Sequence, residues 1–192
     1  GGPILPWFDG KPPAWLEAAL PRIGNAFALL DLGPEPFAFD AARDGEPFRH
    51  PYGANFVVRT EAQRRHRFDP RFGRRGRAGA LGEEADVLRR IAAEGGAGYW
   101  VPRARVRHWI PKHRQTRGYL VQYYRMAGLT QSRRLNLAAS HALLFGRPRT
   151  DFRALAESLL SYGWHRLRND DRWLDSLICG AAAWGRLQER AR

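Results

Sequence analysis

The sequence is poor in several residue types, and each shortage excludes a class of protein. One of the 192 residues is cysteine, Cys179. Neither an internal disulfide nor a cysteine-built zinc site can form, and a reducing compartment is expected. No apolar run approaches the roughly 20 residues of a membrane span. The longest, 135–145 and 176–184, are short, and the first is interrupted by Asn136, Ser140 and His141. There is no Walker A sequence, no strand-linked G-x-G-x-x-G with an acidic partner, no G-x-S-x-G, no H-E-x-x-H and no D-x-D. P-loop enzymes, serine hydrolases and zincins are thereby excluded. The opening Gly1-Gly2-Pro3-Ile4-Leu5 has no basic start, so no signal peptide is expected. It is apolar and strand-like, and the chain is expected to be cut from something longer. Lysine is nearly missing: Lys11 and Lys112 stand alone among 32 cations. The basic surface is therefore a guanidinium surface, suited to bidentate contact with phosphate or carboxylate, although a GC-rich coding sequence would give the same skew.

What is present is enough for a folded body. Apolar residues make up 44% and seven are Trp, which excludes a disordered polycation and fits about one domain. The net charge of +13 is unevenly spread: −3 over 1–50, +15 over 51–150 and +1 over 151–192. A polyanionic partner is expected to meet the middle segment.

Periodicity and punctuation place the elements. Helix is expected over 14–20, strand over 27–32, ordered loop over 33–51, a short buried strand over 55–59 (Phe56, Val57, Val58) and a helical turn over 61–67. A loop over 69–81 follows, with Gly73, Gly76, Gly79 and Gly82 at every third position and Arg71, Arg74, Arg75 and Arg77 between. Leu88, Ile91 and Ala92 mark an amphipathic helix over 83–94 stopped by Gly95-Gly96. Residues 99–110 alternate as one strand, and Leu120, Tyr123, Tyr124 and Ala127 mark a helix ending at Gly128. Two apolar stripes, Phe152, Leu155, Ala156, Leu159, Leu160 and Trp173, Leu177, Ala181, Trp184, Leu187, make the last third helical.

Four groups of residues could carry chemistry or binding. Glu83 and Glu84 open a helix, where unpaired N–H groups and the helix dipole favour negative side chains. A carboxylate there could act as a general base, and acidic residues also stand at helix starts for the dipole alone. His108, at a strand end, could ligate a divalent metal given carboxylates from elsewhere, or be an ordinary partly exposed side chain. Lys112, Arg114 and Arg117 could clamp a diphosphate or form a solvated basic loop. The glycine–arginine loop fits an RNA-binding segment or a mobile loop closing on substrate.

In order, these residues resemble a family. Gly1 to Pro6, Pro12-Pro13-Ala14-Trp15-Leu16, Pro51-Tyr52-Gly53-Ala54-Asn55-Phe56-Val57-Val58-Arg59, Phe68-Asp69 with the glycine-rich loop, Gly82-Glu83-Glu84-Ala85-Asp86, and Val101-Pro102 with Val106-Arg107-His108 are similar to the second half of a bacterial family 2 glycosyltransferase. The likeness covers about residues 1–130. It implies an α/β fold: a partial GT-A-like domain over 1–130 with a mixed sheet that lacks its N-terminal nucleotide-binding half. A C-terminal helical extension follows over 131–192. It also implies inverting transfer of a sugar from a nucleotide-diphosphate sugar to a hydroxyl of a saccharide or lipid-linked acceptor, as in cell-envelope polysaccharide synthesis.

Carried over, the base is Glu84, one methylene longer than the family's usual Asp, with Glu83 in reserve. His108 matches the metal-site histidine, and Gly53, Ala54 and Asn55 match the segment lining the sugar pocket. Arg74, Arg75, Lys112, Arg114 and Arg117 are expected to face phosphates. The resemblance implies Mg²⁺ or Mn²⁺ in the complete enzyme, but the D-x-D-bearing half that would hold it and the nucleotide is missing here. That half is expected in cis or in trans, and this chain alone is expected to be nearly inactive. The basic segment and the helices from Tyr119 onward are expected at the cytoplasmic face of a membrane with anionic lipids. The competing readings are a basic nucleic-acid-binding module, which carries no recognised binding motif here, and a noncatalytic scaffold evolved from a transferase.

Overall fold

A computed structural model describes residues 1–39, 50–70, 72–73, 81–135 and 143–188. The fold is mixed α/β, with six α-helices and three two-stranded sheets among the described residues. The chain forms two compact units, Gly1–Arg71 with Gly82–Gln115, and Phe72–Leu81 with Thr116–Arg192. The division falls before the helix that contains residue 130, so by its packing that helix groups with the C-terminal ones.

In the first unit, β1 (Ile4–Phe8) runs parallel to β4 (Val106–Ile110), in register from Ile4 against Val106 to Phe8 against Ile110. Between them in sequence, α1 (Ala14–Ile23) follows Pro12-Pro13 and turns Leu16, Ala19 and Ile23 inward. The strand expected over 27–32 is absent. Phe27 lies four residues after Ile23, and both are buried, so helical spacing wins and the chain tightens into a 3-10 turn, Gly24–Phe27. Leu30 alone bridges to Ile4.

β2 (Phe37–Phe39), inside the segment expected as loop, pairs antiparallel with β3 (Gly98–Trp100). The fully buried Trp100 donates its indole N–H to the Gly33 carbonyl at 2.9 Å. The single strand expected over 99–110 is thus two strands in different sheets. Pro102 has no N–H to give a ladder, and a turn closed by the Ala104 N–H on the Val101 carbonyl redirects the chain. The buried strand expected over 55–59 is absent too: Gly53–Asn55 form a 3-10 turn, Phe56 is extended, and Val57 is 93% exposed.

The helices are closer to expectation: α2 is Thr60–Arg65 and α3 is Glu83–Ala93. α3 ends where Gly95-Gly96 said it should. Gly95 takes φ +81°, and the amides of Gly95 and Gly96 bond back to the carbonyls of Ala92 and Ile91.

The second unit is helical: α4 (Arg117–Leu135), a β5–β6 hairpin (Leu143–Leu144 with Arg147–Pro148), α5 (Arg149–Leu167) and α6 (Trp173–Arg186). α6 packs against both α4 and α5. The helix expected to stop at Gly128 continues to Leu135, because Gly128 serves packing. A Cβ there would strike the Ala182 carbonyl, and one at Gly185 would strike that of Arg125. Small residues let α4 and α6 approach backbone to backbone. One polar network joins all three helices: Arg186 Nε donates to Asp151 Oδ1 at 2.6 Å and its Nη1 to Gln131 Oε1 at 3.3 Å, with both charged side chains largely buried. No described helix is long and apolar enough to cross a membrane.

Candidate functional site

Gly82 adopts φ +91° at the N-cap of α3 and so starts the helix at Glu83, setting Glu83, Glu84 and Asp86 in its first turn. Asp86 is engaged structurally. It accepts from Arg90 Nη2 at 2.8 Å and Nε at 3.1 Å, and the same guanidinium donates to the Arg67 carbonyl at 2.6 Å. Glu84, half-buried, lies against Gly53. A Cβ on Gly53 would overlap the Glu84 carboxylate, so a larger residue there would turn that side chain aside. Two segments 31 positions apart in sequence, expected to share a site, are thus brought together.

The Gly53–Asn55 turn is itself fastened. The Asn55 amide donates to the Pro3 carbonyl at 3.0 Å and the Ala104 carbonyl at 2.6 Å, and the turn packs on β4. With both amide hydrogens engaged, Asn55 supports the turn and keeps only its Oδ1 as a further acceptor. Gly53 and Ala54 are exposed. Burial pushes the neighbouring Tyr52 phenol above its ordinary value of 10.0, so it stays a neutral hydroxyl.

His108 stands on β4. Strand alternation gives it the same face as Val106 and Ile110, while Arg107 and Trp109 take the other face beside Trp7. The Trp7 and Trp109 rings meet edge to face at 5.1 Å. Among the described residues no three His, Cys, Asp or Glu side chains gather as a metal site. His108 with its described neighbours does not make a donor set for Mg²⁺ or Mn²⁺.

The cations expected to clamp a diphosphate divide between the units. Lys112 and Arg114 lie in a 3-10 turn, Lys112–Arg114, after β4. The buried Gln115 secures that turn by donating to the carbonyls of Asp9 at 3.0 Å and Ile110 at 2.9 Å. Arg117 belongs to the second unit, where its guanidinium lies 4.5 Å from the centre of the Trp173 ring. That cation–π contact makes Arg117 a packing residue. Arg74 and Arg75 lie outside the described residues.

Two features had no distinctive signal in the sequence. His66, buried, places Nε2 3.0 Å from Glu94 Oε2 and ties the end of α2 to the end of α3. An open cleft of about 420 Å³ is lined by Val58, Thr60, Gln63, Arg64, Arg67 and Phe68, none of them expected as site residues. Both depend on how α2 meets its neighbours, which periodicity within α2 does not encode.

Compared with known proteins, the chain matches no protein-family model, no curated protein and no solved structure.

Proposed function

We propose that the first unit is the acceptor side of an inverting sugar transferase, with Glu84 as the base. One observation carries the reading: the half-buried carboxylate at the start of α3 lies directly against the exposed Gly53–Asn55 turn, which rests on the strand that bears His108. In the proposed step Glu84 takes the proton of an acceptor hydroxyl as that oxygen attacks the anomeric carbon. The bond from this carbon to the diphosphate breaks, the nucleotide diphosphate leaves with the electron pair, and the sugar's configuration inverts. Lys112 and Arg114, beyond the same strand, supply positive charge for the leaving diphosphate. The partial GT-A-like fold is part of this proposal, and a parallel β1–β4 pair of five residues each is compatible with it.

The sequence holds no D-x-D, and the described residues form no metal donor set, so the chain alone is proposed to turn over little. Two experiments test the reading. Calorimetry of the chain with UDP or GDP and Mn²⁺ should show no micromolar binding. The full-length gene product, offered nucleotide sugars and saccharide or lipid-linked acceptors, should release nucleotide diphosphate only when acceptor is present and give a product of inverted anomeric configuration by NMR. Micromolar nucleotide binding by the isolated chain, or retained configuration in the product, contradicts it.

A further inference from the structure

We propose that the outer face of α5 and the tip of the β5–β6 hairpin dock the second unit onto an anionic lipid surface. This stands apart from the transferase reading and rests on the second unit alone. Helix α5 is apolar on two faces. One packs on α6, where the Ser161 and Ser176 hydroxyls bond at 2.9 Å. The other carries Ala156, Leu159, Leu160, Gly163, Trp164 and Leu167 at i, i+3, i+4, i+7, i+8 and i+11, and it is bare: Leu159 is 63%, Leu160 77%, Trp164 58% and Leu167 85% exposed. So much contiguous apolar surface on one helix marks an interaction face.

The hairpin leading into α5 presents more of the same. Its two-residue turn, Phe145-Gly146, has positive φ at both positions, 52° and 73°, a geometry that normally selects Asn-Gly. A phenylalanine there is strained, yet its ring is 86% exposed, with Leu143 and Leu144 partly exposed beside it. Backbone strain that places an aromatic ring in water is explained when the ring has somewhere apolar to go.

Charge selects the occupant. From Leu143 to Arg168 there are five arginines, Arg147, Arg149, Arg153, Arg166 and Arg168, against Asp151 and Glu157. Asp151 is buried on Arg186. On the helical wheel Arg149 and Arg153 head the apolar stripe, Arg153 in an ion pair with Glu157 at 2.6 Å, and Arg168 flanks its C-terminal end, while Arg166 lies 5.8 Å from the Trp173 ring centre on the α6 side. Arg168 lies 5.5 Å from the Trp164 ring centre, an arrangement suited to a headgroup boundary, where the ring sits in the acyl margin and the guanidinium meets phosphate. A second copy of a chain of charge +13 would set like-charged rims against each other, whereas an anionic bilayer complements both the stripe and its rim.

Sedimentation of the full chain with lipid vesicles tests this. Binding is expected to vesicles mixing phosphatidylcholine with phosphatidylglycerol, little to phosphatidylcholine alone, and less as salt rises. Replacing Leu160→Gln with Trp164→Gln should lower the partition coefficient about tenfold or more. Arg168→Gln should lower it about fivefold. Phe145→Gly guards against misfolding: it relieves the turn, so binding should fall while the melting temperature does not. No sedimentation with anionic vesicles at low salt overturns the proposal, as does unchanged partition in the Leu160/Trp164 variant. A dimer by light scattering that this variant dissolves also overturns it, by making a second copy the occupant.

Discussion

In the first unit, irregular chain is held by side chains reaching backbone carbonyls. Asn55 bonds Pro3 and Ala104, Trp100 bonds Gly33, and Gln115 bonds Asp9 and Ile110. In the second unit the helices are held by what is missing from them: Gly128 and Gly185 allow backbones to touch, and one buried Asp151–Arg186 pair joins the three long helices through Gln131. The contrast matters for function. Polar pins can fix a loop in a geometry that no helix or sheet offers, and the residues proposed for chemistry, Gly53 and Glu84, lie where such a loop meets a helix start. Helix packing holds a frame and leaves outer faces available for docking.

If this contrast is right, the two units should fail differently. The largest effect is expected from Asp151→Ala, which leaves the Arg186 guanidinium buried beside Gln131 alone and should cost about 3–5 kcal/mol. Chemical denaturation followed by helical circular dichroism measures it, and a cost below about 1 kcal/mol would show that the pair does not hold the helices. Gly128→Val should cost about 1–3 kcal/mol by forcing α4 away from α6, measured in the same way. Asn55→Ala, in the first unit, should cost about 1–3 kcal/mol because two carbonyls lose their donor. Its signature is loss of amide-exchange protection around Ala104 and β4 while α4–α6 keep theirs. Protection lost across both units together would erase the distinction.

The smallest effect is a pH dependence. The hydrogen bond from the His165 side chain, with the Arg172 amide adding to it, holds the Asp170 carboxyl below its ordinary value of 3.8. Since the folded value is the lower one, the unfolded chain binds more protons in acid. Asp170 therefore adds stability above its ordinary value, and that stability fades as pH falls through the folded value. Wild type and Asp170→Asn should differ at neutral pH and converge below about pH 4 in denaturation midpoints. A constant difference across that range would remove this role.

Helices were legible from the sequence because their signals are local. Pro12-Pro13 ahead of α1, Gly82 with two glutamates at the start of α3, Gly95-Gly96 at its end, and the stripes of α5 and α6 each lie within a few residues of what they specify. Strands were legible only in part: β4 and most of β3 lie within the segment expected as strand, but pairing depends on distant partners. Nothing near Val57 says that no strand will pair with it, and Pro102 interrupts an alternation that otherwise runs on. Gly128 was misread for a related reason: a glycine that ends a helix and one that admits another backbone look alike until the partner, Ala182, is known. Of the candidate site, the resemblance named Glu84 and Gly53 each in its own role, and their direct approach is visible only in the structure. The use of Asn55 as a pin and of Arg117 against Trp173 was not legible either, since both depend on tertiary neighbours. The outer stripe of α5 was legible as apolar, but which of its residues face α6 and which face outward was not.

The central claim is that Glu84 removes the acceptor proton. Glu84→Gln in the full-length gene product tests it most directly, with acceptor-dependent release of nucleotide diphosphate measured beside donor affinity by calorimetry. Turnover is predicted to fall by about 10²–10⁴-fold, the contribution of a positioned base, while donor affinity stays within about twofold. Undiminished turnover, or loss of turnover and donor binding together, would contradict the assignment and make Glu84 a structural partner of Gly53.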